Sequence, residues 1–231
     1  MTTFLLIRHG LTDAVDHRLA GIAPGTHLNE VGRAQVTRLV EQLHQIPLTA
    51  VVSSPLERTR ETADPIGRDH GLDVETIPGF LEYDVGAWTG MPFVDLDGND
   101  AWHRFNAVRS VTRPERGELM LDVQHRSVSA LLDLRSRYPD AVVAVVSHGD
   151  VIRAMLLFAL GMPFDFYDRL VILPARISIV ELSAGAPRVL QVNGDNASVI
   201  AEAHESRLLR SDLNRRGPSA DDASDGRRSR A

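Results

Sequence analysis

The 231-residue chain contains no cysteine and no lysine, and only 5% of its residues are aromatic. Without cysteine, the protein has no disulfide, no thiolate nucleophile and no Cys-ligated metal. All 25 basic residues are arginine, whose planar guanidinium is well suited to bind phosphate. The net charge of −6 at pH 7 argues against nucleic acid as a partner.

Long apolar runs are also lacking. The first run, residues 4–7, is far shorter than a signal-peptide core or a membrane span. Other apolar stretches are short or interrupted by charge, as in VIRAMLLFAL at residues 151–160. We therefore expect a cytoplasmic protein with no membrane partner.

Short stretches of branched apolar residues predict strands that are buried on both faces of a sheet. They cover residues 4–7, 49–54 and 141–147, and a helical pattern follows each of them. Two more strands are expected at residues 175–182 and 187–193, joined by a turn. Strands that alternate with helices predict an α/β fold in which helices flank a mostly parallel central sheet.

Caps mark several of the helices. Asn29 is the expected N-cap of the first helix, and SPLE at residues 54–57 has the form of a capping box with Pro55 at the first helical position. A further helix is expected at about residues 119–138. The helix after the second histidine motif should end at Gly161.

The chain has no repeat of fixed period and no interdomain linker. Residues 90–118 mix proline, glycine and charge, so we expect an irregular excursion over one face. From His204 onward the sequence loses apolar residues and mixes Ser, Asp and Arg, which is typical of disorder. We therefore predict a folded domain over residues 1–203 and a disordered polar tail over residues 204–231.

Polar clusters follow the predicted strands at the points where the strands end. Arg8, His9 and Gly10 follow the first strand, SHG at 147–149 follows another, and Arg58 lies in the helix turn after the strand at 49–54. Ligands of open α/β sheets bind just past the carboxyl ends of the strands. Two arginines, two histidines and a helix N-terminus at this edge suit an anion, so the sequence predicts a phosphate pocket.

His9 also has the properties of a nucleophile. A strand end is a rigid mount, and a neutral imidazole held at one nitrogen by a backbone carbonyl can attack phosphorus through the other. Neighbouring guanidiniums would stabilise the charge that spreads over the transferring oxygens.

Four motifs carry a resemblance to a known family: LIRHGLT at residues 6–12, SSPLERTRETA at 53–63, LEYDVGAWTG at 81–90 and VVSHGDVIRA at 145–154. In this order and approximate spacing they resemble the histidine phosphatase superfamily, and the resemblance runs from about residue 3 to residue 198. It implies the phosphoglycerate mutase-like fold, a three-layer α/β sandwich, and makes the domain over residues 1–203 catalytic.

Residue by residue, the resemblance implies that His9 becomes a phosphohistidine while Arg8, Arg58 and His148 hold the phosphoryl oxygens. Glu82 would protonate the leaving oxygen and then activate water. The family uses no metal, and the sequence contains no competing motif such as H-E-x-x-H, so we expect neither metal nor cofactor. The implied activity is that of a metal-independent phosphomonoesterase acting on a small phosphorylated metabolite.

Three positions depart from the family pattern. Leu11, Val15 and Ala20 stand where family members often carry glutamate, asparagine and glutamine. Those polar groups would contact substrate, so the usual recognition of sugar or polyol phosphates is not expected. An apolar or bulky phosphomonoester would suit the substitutions.

Two other functions stay open at this stage. A phosphoglycerate mutase would return the phosphoryl group to a second hydroxyl. Such mutases carry a motif similar to RHYGxLxG, and this motif is absent from the sequence. A non-catalytic phospholigand-binding module would be favoured by a lost nucleophile or acid, and both residues are present. The sequence names neither the substrate nor the oligomeric state.

The remaining basic residues near the motifs are expected to be structural or exposed. Arg60 should face away from the pocket, because residues two apart on a helix point in different directions. The other histidines lie in polar segments and are expected to be surface residues without partners: His17, His27, His44, His70, His103, His125 and His204.

Overall fold

The computed structural model describes residues 1–200. Its strands are β1 Thr2–Arg8, β2 Ala50–Ser53, β3 Val74–Thr76, β4 Val142–Ser147, β5 Ile177–Leu182 and β6 Arg188–Gly194. Its α-helices are α1 Glu30–Leu43, α2 Glu57–His70, α3 Phe93–Leu96, α4 Asp100–Ala107, α5 Met120–Arg137 and α6 Gly149–Leu160. Short 3₁₀ helices form at Pro78–Phe80, Gly86–Trp88 and Phe164–Arg169.

The strands form one sheet in the order β3-β2-β4-β1-β5-β6. The first four strands in that order pair in parallel, whereas β5 and β6 run antiparallel to their neighbours. The prediction of a mostly parallel α/β sheet is therefore confirmed. Because β1 and β4 are parallel neighbours with Arg8 opposite Ser147, their carboxyl ends lie side by side.

Helices cover both faces of the sheet. Phe4 and Leu6 belong to the core cluster that α5 and α6 help to build, whereas Leu5 and Ile7 point to the other face, since side chains alternate along a strand. The four side chains are fully buried, and each contributes roughly 1.5–3 kcal/mol of burial free energy. Helix α1 packs with α2 and α5 packs with α6, so the three-layer arrangement is confirmed.

The start of α2 differs from the expected capping box. The N-cap is Leu56, with no side-chain cap, and the helix begins at Glu57 rather than at Pro55. The Ser54 hydroxyl contacts the His148 ring instead, 2.8 Å from Nε2. The cap at Asn29 is confirmed, since its side chain accepts from the Gly32 N–H.

The segment at residues 90–118 is more regular than expected. It contains α3 and α4, and the Asn99 side chain caps α4 by accepting the N–H groups of Ala101 and Trp102. Trp102 packs edge-on against Trp88, with their ring centroids 5.3 Å apart. Local capping and aromatic packing therefore stabilise short helices within this polar segment.

The domain boundary and the tail stay predictions. The compact unit spans Met1–Ala197, and the polar tail predicted at residues 204–231 lies outside the described residues. Among residues 1–200, no helix combines the length and apolarity that crossing a membrane requires.

Candidate active site

The parallel pairing of β1 with β4 places two histidines side by side. His9 follows β1, and its backbone N–H donates to the Ser147 carbonyl at 3.0 Å. His148 follows β4 and is the N-cap of α6. The two ring centroids are 5.3 Å apart, and both side chains are buried. The sheet therefore brings together the two histidines that the sequence analysis singled out.

The hydrogen bond of His9 defines which ring nitrogen is free. Nδ1 lies 2.7 Å from the Gly10 carbonyl oxygen. Because a carbonyl can only accept, Nδ1 carries the proton and Nε2 keeps its lone pair. Burial, helped by the charges of Arg58 and Arg8, holds the pKa of His9 well below its usual value. The ring is therefore neutral, with an unprotonated Nε2.

Two arginines flank the histidines, and each has one nitrogen bonded to backbone and another nitrogen without a partner. Arg8 Nη1 donates to the Ile172 carbonyl at 2.6 Å, and Arg58 Nη2 donates to the Gly21 carbonyl at 2.9 Å. Arg8 Nε and Arg58 Nη1 are buried without a hydrogen-bond partner. Within residues 1–200, neither guanidinium has a carboxylate oxygen within 4.0 Å.

His148 and Glu82 form the third side of the site. Ser54 Oγ lies 2.8 Å from His148 Nε2, and a hydroxyl can donate to this nitrogen or accept from it. When the hydroxyl donates, the proton of the neutral ring is on Nδ1. That Nδ1 has no hydrogen-bond partner, and Glu82 Oε2 is 3.6 Å away. Burial also holds the pKa of His148 well below its usual value, with the charge of Arg58 adding to the effect.

The Glu82 carboxyl titrates near neutrality. Burial is the largest cause and the charge of Asp150 adds to it, which together raise the pKa of Glu82 to about 7. The Tyr83 N–H donates to Glu82 Oε1 at 2.9 Å. A carboxyl group of this kind can donate a proton at pH 6 and accept one at pH 8.

Arg126 fixes the segment that carries Glu82. Its guanidinium on α5 donates to the carbonyls of Gly79, Leu81 and Glu82 at 2.8–3.1 Å, and it pairs with Glu118 at 2.8 Å. The sequence analysis missed Arg126, because its partners lie 44 to 47 residues away along the chain. The anchor explains why a loop can hold a carboxyl in a defined place.

The glycines after the two histidines allow close packing with protein neighbours. A Cβ at Gly10 would lie 2.8 Å from the Gly32 carbonyl oxygen on α1, and one at Gly149 would lie 3.3 Å from the Arg8 guanidinium. A glycine at each position therefore lets α1 and Arg8 pack tightly around the strand ends.

The remaining candidates lie elsewhere. Arg60 pairs with Asp64 at 2.7 Å and donates to the Val74 carbonyl, so the expectation that it faces away is confirmed. The expectation of partnerless surface histidines is wrong for His27, His70, His44 and His103; the latter two contact Asp69 and the Asp97 carbonyl. His204 lies outside the described residues. His27 contacts Glu61, and the half-buried His70 bonds three backbone carbonyls, which a polar sequence context does not reveal.

A cavity of about 230 Å³ opens at this edge of the sheet. Arg8, His9, Arg58 and Glu82 line it, and His148 lies against them through its contact with His9. The structure thus brings all five predicted site residues together. Within residues 1–200, no three His, Asp or Glu side chains are placed to share a metal ion.

Comparison with known proteins agrees with this geometry. A family model described as the histidine phosphatase superfamily (branch 1) matches residues 4–195. A bifunctional protein of Mycobacterium tuberculosis is 35% identical over 195 residues, which cover 83% of this chain and 54% of that protein. The chain therefore spans about half the length of that relative. The glucosyl-3-phosphoglycerate phosphatase of the same organism is 31% identical over 169 residues, covering 69% of this chain and 75% of that protein.

Solved structures give the same result. YhfR of Bacillus stearothermophilus superposes with a TM-score of 0.79 at 27% identity, covering 86% of this chain and all of that one. A phosphoserine phosphatase variant from Entamoeba histolytica, in complex with phosphoserine, has a TM-score of 0.77 at 25% identity, covering 84% of this chain and 98% of that one. Since the family model matches most of its length, the chain belongs to the histidine phosphatase superfamily.

Proposed function

We propose that the protein is a phosphomonoesterase that transfers the phosphoryl group of a small metabolite to His9 and then to water. The observation that carries the proposal is the set of unpaired donors around the free Nε2 of His9. Arg8 Nε and Arg58 Nη1 are buried N–H groups without partners, and His148 Nδ1 is a buried ring nitrogen without one. In the proposed state the Ser54 hydroxyl donates to His148 Nε2, so Nδ1 carries the ring proton. Leaving such groups unpaired costs free energy, roughly 1–3 kcal/mol each, and a bound phosphoryl group would satisfy all three.

In the first step, the lone pair of His9 Nε2 forms a bond to phosphorus. The bond from phosphorus to the ester oxygen breaks, and its electron pair stays on that oxygen, which takes the proton of Glu82. Arg8, Arg58 and the Nδ1–H of His148 donate to the phosphoryl oxygens as their charge redistributes.

In the second step, the Glu82 carboxylate takes a proton from water while the water oxygen attacks phosphorus. The bond to His9 Nε2 breaks, its electron pair returns to the ring, and phosphate leaves. Together the two steps restore both His9 and protonated Glu82. It needs no metal ion and no cofactor.

A small phosphomonoester is the proposed substrate, because the cavity of about 230 Å³ is modest. Two matched proteins are named for phosphatases of small phosphorylated compounds, glucosyl-3-phosphoglycerate and phosphoserine, which supports this class. The location in the cytoplasm stays a prediction.

The proposal is tested with purified protein and 3-phosphoglycerate in the presence of EDTA. We expect phosphate release with no more than a trace of isomerised product, and a rate that EDTA leaves unchanged. p-Nitrophenyl phosphate is the companion substrate, because its turnover separates an enzyme from a binding module. Dominant isomerisation would support a mutase, and full inhibition by EDTA would point to metal-activated water.

Replacing Glu82 with glutamine should impair alkyl phosphates much more than aryl phosphates. Glutamine cannot donate a proton to the leaving oxygen, and an alkoxide needs that proton far more than a phenoxide does. We expect kcat/KM to fall about 10²–10⁴-fold for an alkyl ester and less than about tenfold for p-nitrophenyl phosphate. Equal losses for the two esters would remove Glu82 from the role of acid.

The pH profile should report the same group. The pKa of Glu82 is raised to about 7, so its acid form is present below pH 7 and is lost above it. We expect kcat/KM for an alkyl phosphate to fall as the pH rises through about 7. The charge of Asp150 raises this pKa, so Asp150→Asn should move the fall to lower pH. The substrate ionises identically in the assays of the wild-type protein and of Asp150→Asn, so a difference between their pH profiles reports the protein. Identical profiles would contradict the assignment of the pH dependence to Glu82.

A further inference from the structure

One polar group at the cavity is not used by the proposed chemistry. Tyr83 follows Glu82 and lines the same cavity. The residue is 1% exposed, and its hydroxyl has no hydrogen-bond partner. A buried tyrosine hydroxyl usually has a partner, so an unpaired one beside a cavity points to a missing ligand group.

Charged groups near the Tyr83 hydroxyl shift its pKa. Among nearby charges, Asp150 acts most strongly on the Tyr83 hydroxyl, followed by Arg109 and Glu82. Asp150 and Glu82 both line the cavity, as Tyr83 does. The Asp150 carboxylate accepts the Tyr167 hydroxyl at Oδ1 and makes no hydrogen bond to the Tyr83 hydroxyl.

The Tyr83 hydroxyl is held in place and keeps its proton. Its ring stacks on Phe105 with centroids 5.7 Å apart and an interplanar angle of 6°. Burial raises the pKa of Tyr83 above its ordinary value. A rigid, neutral phenol of this kind donates one hydrogen bond in a defined direction and loses little entropy on binding.

The rest of the wall offers few neutral polar groups. Apolar side chains form one part of it, namely Ala14, Val15, Leu19, Ala20, Val85 and Phe93, and the charged Asp16, Arg18, Asp150 and Arg153 form another. Val15 and Ala20 are also the positions at which the sequence lacks the polar residues common in the family. Among the described residues, the neutral side-chain hydroxyls of the wall are those of Thr12 and Tyr83, and Thr12 already accepts the Ala14 N–H.

We propose that the Tyr83 hydroxyl donates a hydrogen bond to a neutral hydroxyl group on the alcohol part of the substrate. The inference rests on the proposed phosphatase function and adds a substrate class to it. That class is a small phosphomonoester with an otherwise apolar carbon skeleton that carries a hydroxyl near the ester. A purely alkyl phosphate would leave the phenol unpaired and would bind less well.

The test compares propyl phosphate with 2-hydroxypropyl and 3-hydroxypropyl phosphate as competitive inhibitors of p-nitrophenyl phosphate hydrolysis. All three share one carbon chain, so a difference in Ki reports the added hydroxyl. We expect at least one hydroxylated ester to bind about five- to tenfold more tightly than propyl phosphate. Tyr83→Phe keeps the ring and its stacking, and should abolish that preference while changing the Ki of propyl phosphate less than about twofold.

Tyr138→Phe is the matched control, because Tyr138 lies at the end of α5 and outside the cavity. It should leave the preference intact. The inference is overturned if the wild-type protein shows no preference. It is also overturned if Tyr83→Phe weakens all three esters equally, since the hydroxyl would then hold only a structural water. An absence of p-nitrophenyl phosphate hydrolysis in the wild-type protein would refute the proposed function itself.

Discussion

Replacing His9 with alanine should reduce phosphatase turnover by at least about 10³-fold, as expected for loss of a covalent nucleophile. Alanine removes the Nε2 lone pair that would attack phosphorus, while Arg8, Arg58 and His148 remain to bind the phosphoryl group. The variant should therefore still bind inorganic phosphate. Isothermal titration with phosphate and a steady-state assay with p-nitrophenyl phosphate measure the two properties separately.

His125→Ala is the control for this experiment. His125 is an exposed histidine on α5 and does not line the cavity. Its replacement should leave both turnover and melting temperature unchanged. The lost His9 hydrogen bond to the Gly10 carbonyl should cost about 1 kcal/mol of folding free energy, so the His9 variant should still fold. A His9→Ala enzyme with more than a tenth of the original activity would exclude a phosphohistidine at this position.

The second large effect is expected at Arg58. Arg58→Ala should lower kcat/KM by about 10²–10³-fold, because it removes a preorganised donor aimed at the transferring phosphoryl group. Arg60→Ala should change kcat/KM less than about threefold. Arg60 lies two residues later on the same helix and makes its contacts to Asp64 and Val74 outside the cavity.

The stability of the two variants separates catalysis from folding. Burial and the charge of Arg8 lower the pKa of Arg58, which means that its charge is held at a cost in free energy. Removing the charge should therefore not unfold the protein, even though one bond to the Gly21 carbonyl is lost. Differential scanning calorimetry checks this point. Equal losses of activity at Arg58 and Arg60 would contradict the assignment.

The strand ends and the residues mounted on them could be predicted from sequence. Branched apolar runs mark buried strands, and in a parallel sheet the carboxyl ends of neighbouring strands meet at one edge. The hydrogen bond from the His9 ring to a backbone carbonyl follows from its place at such an end. The local sequence pattern and the sheet topology were therefore sufficient to predict that His9, His148 and Arg58 lie at one edge of the sheet.

Features that depend on tertiary contacts could not be predicted in the same way. Ser54 contacts His148, 94 residues away, and α2 begins at Glu57 without the capping box that the local sequence favours. Arg126 anchors the Glu82 loop through backbone carbonyls, which carry no sequence signature. The unpaired hydroxyl of Tyr83 emerges only when burial and the cavity are known. The Asn99 cap of α4, by contrast, was readable from the sequence and was missed.

The central claim is a covalent phosphohistidine at His9, and rapid-quench trapping with radiolabelled substrate tests it most directly. A phosphoramidate is stable in alkali and labile in acid, unlike phosphoserine. We expect alkali-stable label on the peptide that contains His9, and no label in the His9→Ala variant. Label that survives acid, lies on another peptide or persists in His9→Ala would contradict the account.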